Sequence, residues 1–316
     1  MQCKICGNIE NNRSYDAREQ MYGTAEKFTY FQCALCGCLQ ISEIPSDMSR
    51  YYEGSYYSHS LSPSKNKARQ ILNRIRSSYM VLNEGLFGRL VCALFPKRDL
   101  ASIGNIPLSR DSHVVDIGCG AGGLPYQIKE AGLNNVLGID PFIEKDITYD
   151  NGTRIEKKTI FDLDQPQDLI MFHHSFEHMS AQLETLEKAK SLLKPGGTVL
   201  VRIPTVSSYA WRRYGVNWVQ LDAPRHFFLH SVNSIKLLAE NAGLEMYHHF
   251  YDSWSFQFWG SEQCEKGIPL CGGDSYAEDP GRSIFSRDEI AAYERRSSIA
   301  NAVHDGDSAS FYFRAR

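Results

Sequence analysis

The chain has no excess of positive charge: its 316 residues carry 34 Lys+Arg against 37 Asp+Glu, a formal net charge of -3. A protein that grips a phosphate backbone normally has a basic surplus or stripe, so no nucleic-acid partner is expected. Long apolar runs are missing too. The longest uncharged one, Leu90 to Pro96, falls far short of the roughly 20 residues a membrane helix needs. Cys3 and Lys4 follow Met1 almost at once, leaving no apolar signal-peptide core. Internal repeats and low-complexity tracts are absent as well. These absences predict a cytoplasmic protein without a membrane span, long enough for one large domain and a small one.

Cysteine is too sparse for a disulfide scaffold, and its count of nine is odd. Four cysteines form two pairs, Cys3–Cys6 and Cys33–Cys36, each followed by a glycine (Gly7, Gly37). Two tight turns of that kind can point four thiolates at one tetrahedral Zn²⁺. A redox CxxC would be single and would start a helix in a βαβ unit, and neither holds here. The residues between the pairs read as a hairpin with Phe28–Phe31 on its return strand. Four sulfurs leave no open coordination position, so this zinc would be structural and the reaction centre lies elsewhere. Cys38 reads as a spectator. The predicted division is a zinc ribbon over 1–45, a Tyr-rich and helical linker or lid over 46–110, and the main domain over 111–316.

In the linker, the cluster Tyr51–Tyr57 reads as packing or, through Tyr56 and Tyr57, as a lid. Ile71, Ile75, Met80 and Leu82 recur among polar residues and predict helix over 64–94. From His113 strands and helices alternate. Strands are expected at His113–Ile117, Val136–Ile139, Thr159–Phe161, Asp168–Phe172, Thr198–Ile203, Leu244–Tyr251 and Ser308–Arg314. Helices are expected at Leu124–Ala131, Ser180–Leu193 and Ser231–Ala242. Residues 252–307 form an insertion with one helix at Arg287–Ser297. The repeated order predicts an α/β protein with a parallel sheet, helices on both faces, and ligands at the strands' C-terminal ends.

The stretch Val114–Gly123, VVDIGCGAGG, admits two cofactors. Gly118, Gly120 and Gly123 have the GxGxxG spacing of a dinucleotide loop. Asp116 argues against it, because a carboxylate beside the loop repels a pyrophosphate. The same carboxylate suits the sulfonium and α-ammonium groups of S-adenosylmethionine. Gly118, Gly120 and Gly122 would then cradle that cofactor. Asp140 would hold the ribose diol, Asp162 the adenine amino group, and the N–H of Leu163 a ring nitrogen.

The segments VVDIGCGAGG, GID, FDLD, DLIMFHHSFEHM and LLKPGGTVLVRIP resemble, in order and spacing, the class I S-adenosylmethionine-dependent methyltransferases. With the ribbon, the chain is similar to zinc-ribbon methyltransferases of sugar, polysaccharide and secondary-metabolite pathways. That resemblance implies a Rossmann-like seven-stranded sheet with an antiparallel last strand. It also implies a small-molecule acceptor, with a sugar nucleotide or a glycan or secondary-metabolite precursor as the candidates. The sugar C-methyltransferases of this type usually carry a further C-terminal domain, for which the chain ends too early.

Methyl transfer is an in-line displacement, so the protein must position a nucleophile and, where needed, take its proton. His226, in Asp222-Ala-Pro-Arg-His226, is the first candidate base; the alternative is a cap on the helix near Ser231. His174 and His178 follow the fourth strand as further catalytic candidates, and His173 is placed against the cofactor's methionine portion. His174, Glu177 and His178 have a helical spacing that could hold a metal. The preferred reading is that Glu177 and His178 pin the loop. Trp211, Arg212, Arg213, Trp218 and Arg225 would suit a phosphorylated acceptor, or are an ordinary packed loop. Two rival functions are a nicotinamide-dependent oxidoreductase and a non-enzymatic zinc-ribbon interaction protein. Asp116 opposes the first, and the intact glycine loop opposes the second.

Overall fold

The computed structural model describes residues 1–52, 66–94 and 100–316. Tyr56 and Tyr57, the expected lid residues, lie outside them. The N-terminal module holds β1 (Arg13–Arg18), β2 (Lys27–Gln32) and β3 (Leu39–Ile41), an antiparallel meander. The helical pattern that follows is two helices, α1 (Lys67–Leu82) and α2 (Leu86–Leu94), rather than one. Asn83 ends α1 in the left-handed region at φ +54°, which turns the chain back.

Next come β4 (His113–Ile117), α3 (Gly123–Glu130), β5 (Asn135–Ile139), β6 (Ile147–Thr148), β7 (Arg154–Glu156) and β8 (Gln167–His173). They lead into α4 (Gln182–Ser191), β9 (Leu193–Pro204), α5 (Tyr209–Tyr214), β10 (Phe228–Leu229), α6 (Val232–Asn241) and β11 (Leu244–Tyr251). Then α7 (Phe256–Glu265), α8 (Arg287–Ala302) and β12 (Ser308–Ala315) complete the fold. The main sheet has eight strands in the order β11-β12-β9-β8-β4-β5-β7-β6. From β9 to β7 the neighbours are parallel, whereas β12 runs antiparallel to both β9 and β11. The fold is therefore α/β with a mixed central sheet.

Helices cover both faces, so the central strands are apolar on both sides. Val115, Ile170, Phe172, Val201 and Phe311 pack on one face. Val114, Leu169, Met171, Leu200 and Tyr312 pack on the other.

Three sequence expectations need correction. Thr159–Phe161 is not a strand; the strand beside β5 is β7, and Ile160–Asp162 is a 3-10 turn after it. An extra edge strand, β6, raises the count from seven to eight. The 252–307 segment contains two helices, not one.

The two sheets are physically joined. β10, from beyond residue 200, adds to the N-terminal meander by pairing Phe228 with Gln40 and Leu229 with Leu39. No helix among the described residues is long and apolar enough to cross a membrane.

Candidate functional site

From β4 the chain continues one way to β5 and later the other way to β8, and this reversal opens a crevice at the strands' C-terminal ends. The glycine loop lies there. Gly118, Gly120 and Gly122 take φ of +72°, +55° and +81°, a region that side chains avoid. A Cβ on Gly118 would stand 2.6 Å from Ser175 Cβ, and one on Gly122 would stand 2.1 Å from Ile155 Cδ1. Only glycine fits either place. Asp140 is the loop's anchor: its Oδ2 accepts the Gly120 N–H at 2.8 Å, and its Oδ1 accepts the Phe142 N–H at 2.8 Å. Each oxygen keeps a lone pair for a ligand hydroxyl.

Asp116 is buried, and its Oδ1 has no hydrogen-bond partner. Burial, with the nearby Asp140 adding to it, pushes its carboxyl well above the usual carboxylate range. An unpaired buried acid is costly unless a ligand answers it. A cofactor with fixed positive charge does so, and a pyrophosphate does not. The glycine cradle and this orphaned oxygen thus fit S-adenosylmethionine.

The other expected cofactor contacts divide. His173 ends β8, with a buried Nε2 that has no partner. Burial and the neighbouring Arg202 and His174 keep its imidazole well below the usual range, hence neutral. Asp162 and Leu163, by contrast, are already engaged within their own turn. Asp162 Oδ2 accepts from the Thr159 N–H at 2.8 Å and its hydroxyl at 2.7 Å, and the Leu163 N–H reaches Ile160 O at 3.2 Å.

Around the loop after β8 sits a histidine cluster. Glu177 is fully buried, and neither oxygen has a hydrogen-bond partner; His174 Nδ1 stands 3.5 Å from Oε1. Burial pushes Glu177 upward, yet the facing imidazoles of His174, His178 and His226 hold its pKa at about 2. His178 Nδ1 lies 2.8 Å from Arg225 O, and His226 Nδ1 lies 2.7 Å from Gln220 O. A carbonyl only accepts, so both Nδ1 atoms donate. Burial and the neighbouring His226 hold the His178 imidazole below its usual range, which leaves its Nε2 unprotonated. His226 Nε2 stands 3.8 Å from Asp222 Oδ2. The two rings meet edge to face at 4.7 Å.

His174 is different, because its Nε2 is taken by Arg202, itself paired with buried Asp252. It has φ +55° and is not helical, so the alternative of a helical metal trio His174–Glu177–His178 does not form. The group whose ligand atoms converge is Glu177, His178 and His226, all within 4.8 Å of one another. His226 does not cap a helix: Ser231 caps α6 itself, its Oγ accepting the Ser234 N–H at 3.0 Å.

The arginines of the basic cluster are ion-paired within the chain. Arg225 is wholly buried and ion-paired with Glu19 and Asp222. Arg212 pairs with Asp305 and Arg213 with Glu265. Trp218 is buried with its Nε1–H on Asp307 at 2.9 Å. Two contributors escaped the sequence reading. Glu19 lies unmarked among the residues between the cysteine pairs, and Tyr52, whose hydroxyl lies 3.2 Å from His178 Nδ1, belongs to the cluster that reads as linker packing.

Cys3, Cys6, Cys33 and Cys36 do converge, with the sulfurs of Cys3–Cys36 and Cys6–Cys33 each 3.5 Å apart. Four sulfurs about 2.3 Å from one zinc stand about 3.8 Å from each other, so this set fits a tetrahedral ion with little adjustment. The hydrogen bond from the Cys36 thiol, aided by the Ile5 N–H and the Gln40 amide, favours Cys3 as a thiolate.

Buried His230 bears on stability. Burial, only partly offset by Glu177, lowers its pKa to about 3. An unfolded chain would protonate it below about 6.5, whereas the folded chain resists. Stability is therefore present above that pH and lost as the pH falls toward 3, by about 1.4 kcal/mol per unit. Urea unfolding at neutral and at mildly acidic pH should show this slope, and His230→Gln should flatten it.

With the geometry in hand, the family can be stated. The profile of the methyltransferase domain family matches residues 89–249. The chain belongs to this family. Over 115 residues it is 29% identical to trans-aconitate 2-methyltransferase of Rhizobium rhizogenes, a match covering 34% of this chain and 44% of that protein. The chain thus spans less than half the length of the curated relative it matches. Among solved structures it is similar to an S-adenosylmethionine-dependent methyltransferase from Mesorhizobium loti, at 16% identity and a TM-score of 0.45. That match covers 70% of this chain and 99% of the other. It is also similar to a mycolic acid cyclopropane synthase complexed with S-adenosylhomocysteine, at 18% identity and a TM-score of 0.43, covering 68% and 81%.

Proposed function

We propose that this chain transfers the methyl group of S-adenosylmethionine to a small-molecule acceptor whose proton leaves to His226. The observation that carries the reading is Asp116, a buried carboxyl with an unpartnered oxygen beside a glycine cradle that admits no side chain. The bound cofactor would supply an electrophilic methyl on a sulfonium. Asp140, Gly118, Gly120 and Gly122 would hold it, with His173 beside its methionine end. Asp162 could serve the adenine only by sharing the oxygen it gives Thr159 or offering its other one. With Nδ1 on a carbonyl, His226 and His178 would each take a proton at Nε2, and Glu177 would stabilise the imidazolium that forms.

A small acceptor agrees with the relative named for trans-aconitate methylation. A sugar nucleotide draws no support from the Trp211–Arg225 cluster, whose cations are paired. The four cysteines would bind one structural zinc, in a ribbon that belongs to the working enzyme.

A second reading is favoured by Glu177, whose two buried oxygens lack partners. Glu177, His178 and His226 would then hold a divalent ion, with Arg225 O and Gln220 O orienting the imidazoles from behind. Elemental analysis separates the two readings. One metal per chain keeps His226 as base, and a second ion lost in Glu177→Gln makes it a ligand. The transferase reading itself is tested by calorimetric titration with S-adenosylhomocysteine beside NADH. Micromolar binding of the first and silence from the second is expected; the reverse would mean a nicotinamide enzyme.

A further inference from the structure

The loop that carries His226 is gripped by a carboxylate 206 residues away in sequence, Glu19 of the N-terminal module. Glu19 directly follows β1, and its side chain is fully buried. Its Oε1 accepts the N–H groups of Met21 and Tyr22 at 3.0 Å each. Its Oε2 accepts the Thr24 N–H at 3.0 Å and the Thr24 hydroxyl at 3.1 Å. A turn of its own module therefore fixes the carboxylate. The fifth donor comes from outside: Arg225 Nη2, at 2.9 Å from Oε1.

Arg225 is equally buried, and each of its three nitrogens has a partner. Its Nε reaches both Asp222 oxygens at 2.9 and 3.0 Å, its Nη2 also reaches Asp222 Oδ1 at 2.6 Å, and its Nη1 reaches Tyr51 O at 3.2 Å. The same residue faces the site through its backbone, because its carbonyl accepts the His178 Nδ1–H. One residue on, the His226 carbonyl accepts the Tyr30 hydroxyl at 2.9 Å, again from the N-terminal module. Next, the Phe227 N–H bonds Glu177 O at 2.8 Å. Three consecutive residues thus tie the module to all three members of the Glu177–His178–His226 cluster.

A buried Arg–Glu pair contributes little net stability, since desolvation offsets its attraction, and apolar residues of similar volume often do better. Packing alone does not explain it. What the pair supplies is geometry, a fixed direction at residue 225 and so a fixed acceptor for His178. We propose that Glu19 is a positioning residue for methyl transfer, clamping Arg225 so that His178 and His226 keep Nδ1 on their carbonyls and turn Nε2 toward the acceptor. The inference rests on the reading of that cluster as the proton-accepting site.

The test uses the full zinc-loaded chain with ¹⁵N-labelled histidine, read by long-range proton–nitrogen NMR, which reports the tautomer of each ring. In the wild type His178 and His226 should both show the Nδ1–H form. In Glu19→Gln their signals should shift and His178 should lose its single tautomer. His248 and His304 should stay in place, and S-adenosylhomocysteine affinity should hold within about threefold, as for sites without shared partners. Breaking one half of a buried pair can unfold a protein. The double variant Glu19→Met/Arg225→Met, which removes both charges of that pair and keeps volume while leaving half-buried Asp222 without its arginine, is therefore measured beside it and should show the same loss. Unchanged His178 and His226 signals in the folded double variant would overturn the proposal. So would both variants losing cofactor binding and the distant histidine signals together, since Glu19 would then serve the fold alone. A wild type that fails to bind S-adenosylhomocysteine but shows the histidine changes would sink the transferase reading and leave the clamp.

Discussion

Asp140→Ala is expected to weaken S-adenosylhomocysteine binding about 100-fold or more, the equivalent of two charge-assisted hydrogen bonds. The carboxylate has two tasks. It would grip the ribose diol, and it already organises the empty loop by accepting the Gly120 and Phe142 N–H groups. Without it Gly120, at φ +55°, loses the hydrogen bond that ties its N–H to the end of β5, and the cradle itself relaxes. Asp140→Asn should be milder, at about tenfold, because its amide oxygen can still accept one of the two N–H groups. Melting temperature should move little in either, since Asp140 lies at the end of β5 and outside the apolar clusters. Calorimetry on wild type and both variants checks this. Equal affinity in all three would remove Asp140 from the cofactor site.

The second large effect is expected from Cys36→Ser. Four thiolates on zinc contribute folding free energy outright, and a three-ligand site holds the ion far less tightly. Metal content should fall toward zero and the melting temperature by about 10 °C, as for a loss of several kcal/mol in a chain of this size. The damage should extend beyond the ribbon. Cys3 Sγ accepts from the Gln40 amide at 3.2 Å, Gln40 lies opposite Phe228 in the sheet, and Cys36 O accepts the Ser231 hydroxyl at 2.6 Å. Limited proteolysis should therefore open two places, residues near the cysteines and the loop at 220–230. S-adenosylhomocysteine binding should survive, because among the described residues the N–H hydrogen bonds of the glycine loop run to Ile139, Asp140 and its own turn rather than to the module. A variant that keeps its zinc, or that is cut only near the cysteines, would contradict this coupling.

What the sequence revealed follows the range of the interactions involved. β4 and β8 were legible because β-branched and apolar runs end at glycine or histidine. The glycine loop and Asp140 were legible because their relation is local in sequence. β7 was not: it has three residues, only Ile155 is buried, and its flanks are charged. β9 begins at Leu193, earlier than Thr198, because Lys194–Gly197 continues the strand with an irregular register against β8. Gly197 permits that, lying where a Cβ would come 3.0 Å from Gln167 O. In the site, the sequence pointed to His226, Glu177 and His178 separately. That they meet, and that Arg225 turns away from solvent toward Glu19, depends on contacts between distant parts of the chain. No periodicity records such contacts.

The pairing of β3 with β10 also governs the order in which the molecule can be made. The N-terminal meander is synthesised first, yet its fourth strand is Phe228–Leu229. While the ribosome adds the intervening residues, the growing chain presents β3 as an unpaired edge and cannot bury Tyr30 against the His226 carbonyl. Such sequence-distant pairing slows folding, because loop closure precedes any return from the contact. The nascent cysteines therefore spend that interval without their final cover, and early capture of metal would protect them from oxidation.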